Sequence, residues 1–245
     1  MVAKRYLIVN ADDFGQSHSV NWGIIAAHER GIVTSASLMV RWPAAAEAVA
    51  YSRQHPNLSL GLHVDFGEWA YRGEQWVPLY EVVSINDTAA VVDEVSRQLA
   101  AFRRLVGKEP THLDSHQHVH LWEPLRTVLT EVACELTVPL RHCSADIRYR
   151  GDFYGQTANG APFPDAISVD GLIKVLGTLP PGCTELGCHP GVGDDLDTMY
   201  CSERAEEVKV LCDPQVRTSI VAMGLELCSF LNLPPVRWVS CHRHT

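Results

Sequence analysis

Two aspartates stand side by side in Leu7-Ile8-Val9-Asn10-Ala11-Asp12-Asp13-Phe14-Gly15, where an apolar run ends and a glycine breaks it. Such a run reads as a buried strand, and alternation along it sends successive side chains in different directions. At the mouth of a sheet, one carboxylate can then hold a cation while its neighbour handles a proton. The plainer alternative is that one aspartate caps the next helix and the other is solvated. Histidines at three further strand ends tip the balance: His63 after Gly61-Leu62, His116 after Asp114-Ser115, and His189 before Pro190-Gly191. Two imidazoles and a carboxylate suit zinc or another first-row divalent ion, with positions left open for water and substrate. Any one of these histidines alone would be an ordinary hydrogen-bonded residue, but four polar groups at corresponding strand ends make a site.

The run Ser115-His116-Gln117-His118-Val119-His120 offers further imidazoles. Alternation puts His112, Asp114 and His116 on one strand face, with Asp114 placed to orient a histidine and His112 deeper and structural. His118 and His120 lie past the strand end and read better as walls of a cleft. Other chemistries lack their signatures. Gly151, Gly155 and Gly160 fit neither dinucleotide nor nucleotide phosphate loops, no GxSxG is present, and no cysteine has a nucleophile setting. Water activated by a metal is the nucleophile that remains.

The elements that must position these groups alternate along the chain. Strands are expected near Leu7–Val9, Ile32–Val40, Leu58–Val64, Thr111–His116, Val138–Cys143, Thr184–Cys188 and Leu225–Phe230. Helices are expected over Val20–Arg30, Pro43–Gln54, Asp87–Val106, Pro124–Leu136, Asp165–Leu179, Ser202–Cys212 and Gln215–Met223. The Val91, Val95, Leu99 and Phe102 spacing gives the longest helix its apolar face. Residues 66–86 read as a long loop carrying Trp69, Tyr71, Trp76 and Tyr80, either lids over the core or a platform on which sugar rings stack. Alternating strands and helices with polar groups at strand C-terminal ends predict an α/β fold, a TIM-like (β/α) barrel of about seven strands. A doubly wound open sheet would obey the same end rule. With no repeat or linker, residues 1–245 form one domain.

Composition narrows the partners. The 245 residues carry a net charge of −9 and 46% hydrophobic residues, which argues for a globular enzyme and against a nucleic-acid or anionic-membrane binder. No signal-peptide layout and no apolar run of ~18 residues is present, so a cytoplasmic location is expected. Eight cysteines, all in the second half and none in a CxxC, read as mostly reduced thiols packed in the core. A homodimer is the default assembly.

Five segments together resemble the YdjC-like family of carbohydrate deacetylases: Asn10-Ala11-Asp12-Asp13-Phe14-Gly15, Gly31-Ile32-Val33-Thr34-Ser35, Gly61-Leu62-His63, Thr111 to His120, and Cys188-His189-Pro190-Gly191. They occur in the family's order over about residues 5 to 191. The resemblance implies a barrel with fewer than eight regular repeats, and one divalent metal ion held by Asp13, His63 and His116. It makes Asp12 the general base and His189 the acid or oxyanion partner across the substrate. The implied reaction removes N-acetyl groups from amino sugars or short chitooligosaccharides and releases acetate. Zinc is favoured over magnesium by the softness of two imidazoles.

The chain departs from the family pattern at Val64-Asp65-Phe66-Gly67, where Asp65 is placed to meet a metal-bound water or a sugar hydroxyl. With Trp69, Trp76 and His118 it forms the expected substrate-facing set. The aromatic loop and residues 148–164 are not family signatures, and the tail from Ser240 to Thr245 matches nothing. Rival readings are a metal hydrolase of another amide, ester or phosphoester, and a carbohydrate-binding protein without turnover. A binding module needs neither Asp12 nor His189.

Overall fold

The computed structural model describes residues 3–233; the tail motif, Cys241 included, lies outside the described residues. Its centre is β1 (Arg5–Phe14), whose residues from Leu7 onward are buried. Strands β2 (Ser35–Leu38), β3 (Ser59–Val64) and β6 (Leu113–Ser115) follow on one side of it, β8 (Gly182–Cys188) and β7 (Ile147–Arg150) on the other. The short β9 (Leu225–Leu227) pairs with the first residues of β1, which completes a seven-stranded, all-parallel sheet. Parallel strands are covered on both faces and read as continuous apolar runs, as Leu7-Ile8-Val9 does. Alternation splits that run. Leu7, Val9 and Ala11 join the large outer core under the helices, while Ile8 packs with Ile147, Cys183, Cys228 and Phe230. Asn10 and Asp12 share the face of Ile8, so apolar packing gives way to polar groups toward the strand C-terminal ends.

Helices α1 (His18–Glu29), α2 (Ala45–Gln54), α3 (Thr88–Val106), α4 (Leu125–Leu136), α5 (Val169–Gly177), α6 (Ser202–Leu211) and α7 (Pro214–Ala222) lie close to their expected spans. Ser17, Asp87, Ser168 and Asp213 each cap a helix by accepting a backbone N–H in its first turn. Ser168 also divides the expected helix at 165–179 into a 3-10 turn (Pro164–Ile167) and α5. Among the described residues no helix is long and apolar enough to cross a membrane. Among the described residues six cysteines are free thiols, Cys143, Cys183, Cys188, Cys201, Cys212 and Cys228, while Cys134 is disulfide-bonded. Cys143 is exposed and Cys201 and Cys212 are partly exposed, so the expected burial in the core holds for Cys183, Cys188 and Cys228.

Two expectations need correction. The strand expected at Val138–Cys143 makes one parallel bridge, Leu113 to Leu140, and the ladder strand is β7, further on. Pro139 has no N–H to donate, and His142 turns left-handed at φ 63°, so the segment bends before it can pair further. It still pairs alongside β6: Leu113 N–H donates to Pro139 O (2.8 Å), and Arg141 N–H to Leu113 O (3.0 Å). The result is a curled, barrel-like sheet. The expected loop at 66–86 is instead an antiparallel hairpin, β4 (Gly67–Arg72) and β5 (Gln75–Glu81). Gly73 and Glu74 form its two-residue turn with φ of 56° and 64°, the left-handed pair such a turn needs. A glutamate is uncommon there and Pro78 interrupts the strand pattern, which hid the hairpin.

Candidate active site

The strand ends bring the expected residues together. β1 and β2 fall out of register between Ala11 and Phe14, and Asp13 adopts a left-handed φ of 67°. That irregularity turns Asp12 and Asp13 toward different neighbours, and Asp is one of the few residues that tolerates such a backbone. Asp13 Oδ1 lies 2.9 Å from His116 Nδ1 and 3.2 Å from His63 Nε2, the latter delivered by β3 and the former by the end of β6. All three residues are buried, with ligand atoms within 4.8 Å of one another. Asp13 Oδ2 accepts from Arg204 Nη2 at 2.7 Å. His63 Nδ1 is 2.8 Å from Asp114 Oδ1, so Asp114 orients that ring as its position suggested.

The donor set fits a divalent cation. Nε2 of His63, the nitrogen that faces Asp13, is buried and lacks a hydrogen-bond partner, although buried polar atoms are normally paired; His116 faces Asp13 with Nδ1 and turns its own unpartnered Nε2 toward Glu68. Donors around an ion with bonds near 2 Å stand roughly 3 Å apart, which matches the separations from Asp13 Oδ1. Burial works against charge on the histidines, yet Asp114 and Asp13 prevail and raise His63 to about 9. His116 is raised well above its ordinary value by Asp13 and Glu68 against the same burial. Protons on these rings occupy the place a cation would take, since metal binding displaces them.

Asp12 lives in a different setting. Burial opposes its ionisation, but Arg141 donates from Nη1 to Oδ2 (2.6 Å) and from Nη2 to Oδ1 (2.7 Å) and holds the carboxyl well below its usual range. Asn10 Nδ2 donates to Oδ1 as well (2.9 Å). Arg141 also meets Asp114 (2.8 Å) and Glu185 (2.7 Å). One guanidinium serves three buried carboxylates, and Glu185 absorbs the excess charge: burial pushes it up to about 7 despite Arg141. A second cation set, Asp12, His63 and Asp114, is close enough in space. Arg141 occupies its two carboxylates, which leaves the Asp13 set as the better cation site.

His189 Nε2 stands 3.7 Å from Asp12 Oδ2. Burial lowers the imidazole to about 4, with Asp12 and Asp13 only partly opposing, so the ring is neutral near pH 7. Asp65 is buried and accepts from Trp42 Nε1 (3.2 Å), Tyr80 Oη (3.0 Å) and Gly67 N–H (3.0 Å), so it secures the base of the hairpin. Trp69 is tied through its backbone N–H and C=O to the Gln117 side chain. Trp76 is half exposed and meets Tyr71 edge-on. His118 takes a left-handed φ of 55°, with Nε2 3.3 Å from Tyr149 Oη, and forms a wall with His142 and Tyr149.

Sequence reasoning missed Arg141, Arg204, Glu68, Glu185 and Glu207. Glu68, on β4, holds Oε2 3.8 Å from His116 Nε2 while Thr198 Oγ1 donates to its other oxygen. None of the five belongs to a recognisable spacing. The one available signal was Arg141 inside a segment otherwise read as a buried strand, since an arginine there must find carboxylates.

Residues 6–222 match the model of the YdjC-like protein family. A carbohydrate deacetylase of Geobacillus stearothermophilus is 32% identical over 92% of this chain and 97% of its own. A chitooligosaccharide deacetylase of Serratia marcescens is 31% identical over 94% of this chain and all of its own length. Among solved structures, a protein of Enterococcus faecalis V583 named for cellobiose-phosphate cleavage superposes with a TM-score of 0.77 at 26% identity. That superposition covers 94% of this chain and 98% of the other.

Proposed function

This chain belongs to the YdjC-like family, and from that membership and the site's geometry we propose that it is a metal-dependent carbohydrate N-deacetylase acting on amino sugars or short chitooligosaccharides. The observation that carries the reading is the buried Asp13–His63–His116 cluster, with the orphaned Nε2 of His63 facing Asp13, beside the Asp12–His189 pair. The relatives named as carbohydrate and chitooligosaccharide deacetylases support the substrate class.

Asp13, His63 and His116 would hold the cation. When bound, it would supply Lewis acidity, making water more acidic and polarising an acyl oxygen. Zinc suits the two imidazoles better than magnesium. Arg141 bonds both oxygens of Asp12, which favours the role of base over that of a fourth protein ligand. Asp12 stays ionised and fixed, and takes the proton of the water that attacks the acetyl carbonyl carbon. His189 stands 3.7 Å away and is held neutral by burial. It therefore receives the proton and delivers it to the sugar nitrogen as the C–N bond breaks, so that acetate and an amine leave. The amine is a poor leaving group without that proton. Trp69, Trp76 and His118 border the approach for sugar rings, while Asp65 acts through the hairpin it secures and not as a hydroxyl partner.

The test is acetate release from N-acetylglucosamine and short chitooligosaccharides by metal-stripped protein, then with zinc, magnesium, cobalt or nickel restored. Release that returns with one ion supports the reading. Phosphorylated disaccharides in the same panel address the substrate named for the E. faecalis relative. Turnover of those without acetate would replace the reading with another hydrolase on this scaffold.

A further inference from the structure

Helix α6 reaches both halves of the reaction centre. Arg204 and Glu207 are three residues apart, on one helix face, and both are buried. Arg204 donates from Nη2 to Asp13 Oδ2 (2.7 Å), from Nε to Tyr200 O (2.9 Å) and from Nη1 to His189 O (3.4 Å). Glu207 Oε2 accepts the backbone N–H of His189 at 2.5 Å, and its Oε1 accepts from the Tyr200 hydroxyl. That hydroxyl in turn accepts from Gly155 N–H at 2.8 Å. The Tyr200 ring stacks on Tyr154 with centroids 4.3 Å apart, and both rings meet the His189 imidazole edge-on, at 5.7 and 5.4 Å.

No hydrogen bond fixes the imidazole on its far side, because His189 Nδ1 is buried without a partner. Histidines that move protons are commonly held there by a carboxylate. In this chain the carboxylate acts one step away, on the backbone and on the tyrosine whose ring borders the imidazole. Resting on the deacetylase reading, we propose that Arg204 and Glu207 are positioning residues, which make one turn of α6 the bar that fixes Asp13 and His189 relative to each other. Arg204 takes Oδ2 of Asp13 and leaves Oδ1 to face His63 and His116. Glu207 sets where the imidazole stands beside Asp12. A displacement of about 1 Å at such a group costs on the order of 100-fold in rate.

The experiment compares Glu207→Gln, Tyr200→Phe and Arg204→Met with Glu206→Gln, an exposed neighbour on α6 paired to Lys209. Four readouts are taken: kcat and KM for acetate release, zinc affinity of stripped protein by calorimetry, melting temperature, and the imidazole resonances of His189 in metal-free protein. Glu207→Gln should lower kcat about 10- to 100-fold, leave KM and zinc affinity within about threefold, and move the His189 resonances. Tyr200→Phe removes one hydroxyl from a stacked ring and should do the same more weakly. Arg204→Met should weaken zinc binding about tenfold or more. Glu206→Gln should move nothing. The proposal is overturned if Glu207→Gln matches Glu206→Gln in kcat and resonances. It is also overturned if Glu207→Gln and Tyr200→Phe lose rate, zinc affinity and melting temperature together, as a general buttress would. If wild-type protein releases no acetate, the deacetylase reading fails while the resonances and zinc affinities still decide the role of α6.

Discussion

Asp12 and Asp13 are neighbours in the chain and sit in opposite surroundings. On the Asp12 side of the cleft floor, one arginine fills the space between three carboxylates, and both oxygens of Asp12 are taken. On the Asp13 side, Arg204 takes one oxygen and two histidines face the other. Each half puts cationic groups against its carboxylates, but the cations differ in kind. A guanidinium is permanent and satisfies a carboxylate with two parallel bonds. Imidazolium protons are exchangeable and yield to a metal. Adjacent residues of one type can therefore carry different roles, because the second layer of residues, not the aspartates, decides which of them has a lone pair to spare.

The largest effects expected from this contrast come from exchanging each aspartate for its amide. Asp13→Asn should abolish stoichiometric zinc binding in calorimetry, and turnover with it. Asp12→Asn should bind zinc within a few-fold of wild type and lose turnover by about 1,000-fold or more, since base removal and the altered contact with Arg141 act together. Zinc loss in Asp12→Asn with retention in Asp13→Asn would reverse the two halves.

A smaller but measurable difference concerns stability. Arg141→Met strands Asp12, Asp114 and Glu185 in the interior without their shared cation, and removing one partner of a buried pair costs about 3–5 kcal/mol. The urea midpoint should fall accordingly, and added zinc should not restore it, because the proposed metal site is the other half. Arg204→Met strands Asp13 alone, and there bound zinc supplies the missing positive charge. Saturating zinc should thus recover most of the Arg204→Met loss and little of the Arg141→Met loss. Equal recovery in both would mean that the halves are not separate.

The same contrast explains what could be read from the chain. Asp12, Asp13, His63, His116 and His189 were legible because each ends a strand, and a strand end is a local feature of apolar period and turn residues. The seven helices were legible for a like reason, through caps such as Ser17 and Asp87 and the apolar stripe of α3. Arg141, Glu185, Arg204 and Glu207 were not, because what makes them functional is proximity across 18 to 191 residues of chain. Nothing local distinguishes Arg204 from the other charges of α6. The hairpin escaped because its turn uses Gly73-Glu74 and its second strand holds Pro78, both unlike the usual hairpin pattern. The strand at 147–150 escaped because Val138–Cys143 looks more strand-like and fails only at Pro139 and His142.

The finest distinction lies within the Asp13 half, between the carboxylates behind its two histidines. Asp114 meets His63 Nδ1 at 2.8 Å, a full hydrogen bond, from the neighbouring parallel strand β6. Glu68 stands 3.8 Å from His116 Nε2, outside hydrogen-bond range, on a hairpin held to Gln117 and Thr198 by side-chain bonds. A carboxylate that orients a metal-binding histidine typically contributes 10- to 100-fold in affinity, and that figure should apply to Asp114→Asn. Glu68→Gln should cost only about two- to fivefold in zinc affinity, since electrostatic attraction without a formed bond is weaker and falls with distance. Calorimetry on both variants at one pH separates the cases. Should Glu68→Gln lose as much affinity as Asp114→Asn, the carboxylate must close onto His116 when zinc binds, and the hairpin would be a moving part of the metal centre and not merely its rim.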